Sequence, residues 1–184
     1  GKQQINTLIK ARTVIGEWAE NNGRDCPDTS ESMIDIVTAY QNLGDDMRSS
    51  NKDHAAVARG AILRIRERRA ELQGDQLSGD EPVVPNGEPR SFVIDSIRHP
   101  AEVALLRRVY GEAFVLVGVV CEKSAREIRI RDKYSTAGKD EAEAFMERDA
   151  KAKEKHGQRV SDAFHLSDFF IDNSATRFLD SAGK

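Results

Sequence analysis

The sequence predicts an α/β protein organised as a three-layer sandwich, a parallel sheet between two layers of helices, and two observations carry that reading. Ser91–Asp95 (SFVID) and Ala113–Val120 (AFVLVGVV) are short apolar runs with no polar alternation. Runs that are apolar on both faces suit strands of a parallel sheet covered by helices on each side. Between them, Pro100–Tyr110 sets Val103, Leu105, Leu106 and Val109 at helical spacing, behind a proline suited to the first helical position. The result is a strand–helix–strand unit with a right-handed crossover. At 184 residues and 39% hydrophobic content, the chain can bury one substantial core and is read as a single domain over residues 1–184.

Taken in order, residues 3–20 place Ile5, Leu8, Ile9, Val14, Ile15 and Trp18 near helical spacing, which predicts a helix stopping by Asn21-Asn22-Gly23. Asp28, Thr29 and Ser30 offer caps for a second helix containing Met33, Ile34, Ile36, Val37 and Tyr40, with a break expected at Gly44. A third helix, from about Asp53 to Leu72, carries Ala56, Val57, Ala61, Ile62 and Ile65 on one side and arginines near its end, where cations suit the helix dipole. Residues 1–72 are thus the helical part. The Gly- and Pro-rich stretch 73–90 is expected to be a mobile surface loop, and 91–184 the α/β part. Phe169–Asp172 (FFID) is expected as a third strand, reached through one or two helices between Asp140 and Leu166. Trp18, Phe92, Phe114, Phe169 and Phe170 read as core residues. Three strands behind about ninety residues without one is an odd distribution for such a sheet. The simplest account is a sheet incomplete at its amino terminus, with its first strand or strands upstream of Gly1.

Composition excludes several classes of function. The 28 Lys and Arg against 31 Asp and Glu give a net charge of -3, so no global basic field draws the chain to nucleic acid or to an anionic membrane. No apolar run approaches the roughly 18 residues of a membrane span, and the start has no signal-peptide core. Cys26 and Cys121 read as reduced thiols, and the expected compartment is the cytoplasm. His54, His99, His156 and His165 each lack a Glu two positions on, and no C-x-x-C occurs, so a deaminase zinc site is absent from the sequence given. The Gly-Lys pairs at Gly1, Gly138 and Gly183 lack the rest of a Walker A loop. No residue is therefore assigned a catalytic role.

Candidate binding residues cluster after the strands. Asp95 ends an expected central strand, at the crevice where α/β folds bind ligands, and there a carboxylate can hold Mg²⁺ through water. Ser96 follows it, and Arg98 can meet a phosphate with its bidentate fork. The competing reading makes Asp95 a helix cap and Arg98 its partner. Arg126, Arg129 and Arg131, followed by Lys133 and the loop Ser135–Lys139, suit a basic lid closing on phosphates, or equally a solvated helix face paired with Glu122 and Glu127. Gly157 reads as the end of a charged helix over Asp140–Lys155, with Gln158 and Arg159 able to reach a base or phosphate.

The string FVIDSIRHPAEVALLRRVYGEAFVLVGV, the basic segment after it and HGQRVSDAFHLSDFFIDN together resemble the P-loop-kinase-like amino-terminal domain of bacterial antiviral dCTP/dCMP deaminases, itself similar to deoxynucleoside monophosphate kinases. Tyr40–Arg48 and Ala55–Ile65 extend the resemblance to about residues 40–175. It implies a P-loop kinase-like three-layer sheet and a nucleotide-sensing or regulatory role. The partners it implies are a deoxynucleotide or other phosphate-bearing regulator, a deaminase domain of the same protein, and a homo-oligomer or RNA regulator. Mg²⁺ and nucleotide would bind at Asp95, Ser96, Arg98, Arg126, Arg129 and Arg131, and Zn²⁺ belongs to the deaminase domain outside this chain. The alternative is a fragment of a deoxynucleoside monophosphate kinase lacking its Walker A loop.

Overall fold

The computed structural model describes residues 5–28, 32–133 and 159–174. The proposed caps Thr29 and Ser30, the loop Ser135–Lys139, the charged helix Asp140–Lys155, Gly157 and Gln158 lie outside the described residues. The described part is mixed α/β, with four strands and six helices.

The first departure from expectation is at the start. Ile5–Lys10 is a strand, β1, and the helix read from residue 3 begins only at Ala11 as α1, Ala11–Asn21. Ile5, Leu8 and Ile9 satisfy a helical face, but a strand divides them between its two sides once a partner is present. That partner is β2, Arg90–Asp95, which pairs with β1 in parallel from Ile5↔Arg90 to Lys10↔Asp95. The alternation then sets Ile9 in the core and leaves Leu8 exposed. The expectation of no strand before residue 90 is corrected accordingly.

Helix α2, Met33–Ser50, is capped by Ser32, whose hydroxyl accepts the Asp35 N–H at 3.2 Å. It runs straight through Gly44, where a break was expected. The glycine serves close approach instead, since a Cβ there would lie 3.1 Å from Ile15 Cδ1 of α1. Helix α3, Ala56–Gln73, ends at Gly74 in the left-handed conformation, φ +74°. The stretch that follows forms no regular element before β2. Arg66 of α3 holds it by donating to the carbonyls of Gly79 at 2.6 Å and Glu81 at 2.8 Å.

Helix α4, Pro100–Tyr110, carries Pro100 in its first turn as expected. Strand β3 is Val117–Val120, shorter at its start than the apolar run: Gly111–Ala113 make a 3₁₀ turn and residues 114–116 lead into the strand without regular structure. Then come α5, Lys123–Lys133, α6, Val160–Phe164, and β4, Phe169–Asp172. β3 and β4 pair in parallel, Val117↔Phe169 to Val120↔Asp172. The strands therefore form two separate two-stranded parallel sheets, β1–β2 and β3–β4.

The core lies where α1, α2 and α3 pack on one face of β1–β2, around Ile9, Val14, Ile15, Leu43, Met47, Val57 and Ile65, with Phe92 and Ile94 against it. On its other side α3 meets α4 through Ala55, Ala58, Leu105 and Leu106. The opposite sheet faces are bare. Leu8 and its neighbour Val93 are 53% and 55% exposed, and Val117, Val119, Phe169 and Ile171 are open as well. Placing Phe169 and Phe170 in the core was wrong, since both are more than half exposed. Phe164 of α6 packs on Phe170, ring centroids 5.0 Å apart, yet leaves it more than half exposed, and a run apolar on both faces does not by itself recruit a full covering layer.

Candidate functional site

Strand β2 pairs on one edge with β1, and β3 on one edge with β4. Their other edges face a trough of about 680 Å³, lined by the consecutive residues Phe92–Arg98 and Ala113–Val119 and by Val160, Ala163, Phe164 and Ser167. Its walls along the strands are apolar. Polarity is concentrated at the carboxyl end of β2, where Asp95, Ser96 and Arg98 enter the lining.

The loop bearing those residues is fixed by buried polar groups. His99 is the N-cap of α4 and accepts the Ala101 N–H on Nδ1 at 3.1 Å. Glu102 completes a capping box, one carboxylate oxygen accepting the N–H of Arg98 at 2.9 Å and of His99 at 3.2 Å. Its other oxygen accepts from Arg48 of α2 at 2.7 Å, and Arg48 also reaches Asp45 at 3.1 Å. The Arg98 carbonyl accepts the N–H of Arg159 at 2.8 Å. His54 stacks on His99, ring centroids 4.8 Å apart and 3° from parallel. Burial first, then the positive surroundings of His54, Arg48 and Arg159, pull the His99 pKa down to about 4.

The residues expected to bind phosphate thus divide. Asp95, Ser96 and Arg98 share one end of the trough. The cap of α4 is His99 and not Asp95. Arg126 is exposed on α5 and does not line the trough, and Arg131 belongs to the same helix. Arg129 donates to the Asn173 carbonyl beyond β4 at 2.5 Å and lies 3.4 Å from Cys121 Sγ, so it ties α5 to the end of that strand. Glu127 pairs with Lys123 at 3.7 Å.

A second tie holds the far wall. Arg107 of α4 donates to the Leu166 carbonyl and to Asp168, each at 2.7 Å, and Asp168 accepts the Leu116 N–H at 2.7 Å. Those hydrogen bonds, with Arg107 beside it, keep the Asp168 carboxyl below its ordinary pKa. Among the described residues no three His, Cys, Asp or Glu side chains form a metal cage. A single carboxylate such as Asp95 suits a Mg²⁺ that arrives on phosphate and keeps most of its water.

The sequence reading did not assign roles to Arg48, Glu102, His54 and His99. A signal existed for one of them: His99-Pro100-Ala101-Glu102 has the spacing of a capping box, with His in the place of Ser or Thr. Among the described residues no helix is long and apolar enough to cross a membrane. In comparison with known proteins, no family model and no curated protein matches the chain.

Proposed function

We propose that the chain is a nucleotide-sensing or regulatory kinase-like domain of an anti-phage deoxycytidine nucleotide (dCTP/dCMP) deaminase, whose zinc-bearing active site lies outside this chain. The observation that carries the nucleotide-binding part is the convergence of Asp95, Ser96 and Arg98 at one end of the trough, where a parallel strand ends and a capped helix begins. The parent activity rests on the sequence resemblance. In this reading Arg98 contacts phosphate and Asp95 orients water on a nucleotide-borne Mg²⁺, the metal neutralising phosphate charge. Arg126, Arg129 and Arg131 form the lid, with Arg129 exchanging its Asn173 contact for phosphate on closure.

The finer fold belongs to the same proposal: β1–β2 and β3–β4 are halves of one three-layer sheet. The trough, lined by both β2 and β3, is where one additional strand would join the two halves.

Calorimetry with dCMP and dCTP, with and without Mg²⁺, tests the site. Arg98→Ala removes a charge-assisted contact worth about 1.5–3 kcal/mol and weakens binding about ten- to hundredfold. Asp95→Asn weakens binding only when Mg²⁺ is present. Unchanged affinity in both variants, or no binding by the native polypeptide, would leave the domain a scaffold.

A further inference from the structure

Four polar side chains among the described residues are buried: Gln41, Arg48, His99 and Glu102. Three of them converge on the short loop Ser96–His99, whose one apolar side chain, Ile97, is half-buried against the cluster of α3 and α4. Arg48 and Glu102 are 2% and 1% exposed, so both charges are removed from water at considerable cost, and a buried ion pair of this kind is weak as a stabilising device. What it does supply is geometry. One Glu102 oxygen takes the N–H groups of residues 98 and 99 together, while the other is held by Arg48, itself held by Asp45 on the same helix. On the opposite side the Arg159 N–H fixes the Arg98 carbonyl. The peptide groups on both sides of the Arg98 Cα are therefore clamped, and its side chain leaves the clamp at the end of the trough.

We infer that Arg48 and Glu102 are positioning residues which set the Arg98 backbone for phosphate, making α2 part of the binding site without contact with the ligand. This rests on the proposed phosphate-binding role of Arg98. It also goes beyond it, because the alternative account of the same contacts, fold stability alone, predicts a different pattern of binding losses. A residue acting through Arg98 has nothing further to contribute once Arg98 is gone, whereas a residue that merely stabilises the fold acts equally with or without it.

The test is a double-mutant cycle on the whole chain, read by calorimetry with dCMP and with inorganic phosphate, and accompanied by melting curves. Glu102→Gln keeps the shape of the side chain and discharges it, and affinity is expected to fall about tenfold in the wild-type background. Combined with Arg98→Ala, the same change is expected to cost less than about twofold more. Arg48→Lys preserves a charge against Glu102 but loses the fork that also spans Asp45, and so provides a milder variant. Its loss is expected to be severalfold in the wild-type background and, again, to vanish beside Arg98→Ala. Equal losses in both backgrounds, or full affinity in the Glu102 and Arg48 variants, overturn the inference while leaving Arg98 as a phosphate contact. Wild-type affinity that Arg98→Ala does not alter overturns the site and the inference together.

Discussion

His99 can cap α4 only while its ring is neutral, because Nδ1 accepts the Ala101 N–H and a protonated ring has no lone pair to offer. The groups around it oppose protonation on balance. His54 lies face to face with it, Arg48 and Arg159 add positive charge, and Asp162 alone pulls the other way among the charges that move its pKa. With a folded pKa near 4 against 6.5 when exposed, the unfolded chain binds more protons between those values. Stability is therefore intact above about pH 6.5 and lost as pH falls toward 4, by an upper bound on the order of 3 kcal/mol. That window lies above the one in which ordinary carboxylates titrate. His99→Asn retains a good capping oxygen and removes the proton site, so its melting temperature is expected to change less than that of the wild type between pH 7 and pH 4.5. Parallel declines in the two proteins would show that other groups govern acid sensitivity. At this scale the sequence is only half readable. Asp95 and Arg98 stand out because a strand end announces them, but Arg48 acquires its meaning from Glu102, 54 residues away.

At the scale of elements, β1 shows why periodicity misleads over short spans. Six residues contain too few apolar positions to separate a period of 3.6 from a period of 2, and the deciding fact, a parallel partner at residues 90–95, is not local. The longer helices α2, α3 and α4 were legible because several turns repeat the pattern. Gly44 in α2 was read as a break when it is a point of contact, and Gly60 in α3 is another. Gly60 is the clearest: it faces α1 so closely that a Cβ would overlap Val14 Cγ1, with Met47 Cε next to it. Alanine is ordinarily the better helix residue, by about 1 kcal/mol. Here the contact is expected to reverse the sign, and Gly60→Ala should destabilise by about 1–3 kcal/mol through overpacking. Urea denaturation measures this directly, and a stabilised variant would mean that α1 and α3 have room to separate.

Across the whole molecule, three helices cover one face of β1–β2, and no described element covers the faces carrying Leu8, Val93, Val117, Val119, Phe169 and Ile171. Sequence alone could not reveal this, because β-branched runs look the same whether a helix lies over them or not. Exposed apolar patches of this extent are docking surfaces or liabilities. Here the two bare sheets also present unpaired edges to the trough, the arrangement most prone to strand-to-strand association. The 184-residue chain is accordingly expected to bind an apolar fluorescent dye in its native state and to self-associate as concentration rises. Val119 and Ile171 are direct neighbours across β3–β4 on that face. Replacing both by Thr keeps the β-branched shape that suits a strand while adding hydroxyls that favour water. Since both side chains are more than half exposed, stability should move by no more than about 0.5 kcal/mol while dye fluorescence and association fall together. A marked drop in melting temperature with dye binding unchanged would mean instead that this face is buried in solution, and that the apolar strands were legible as core after all.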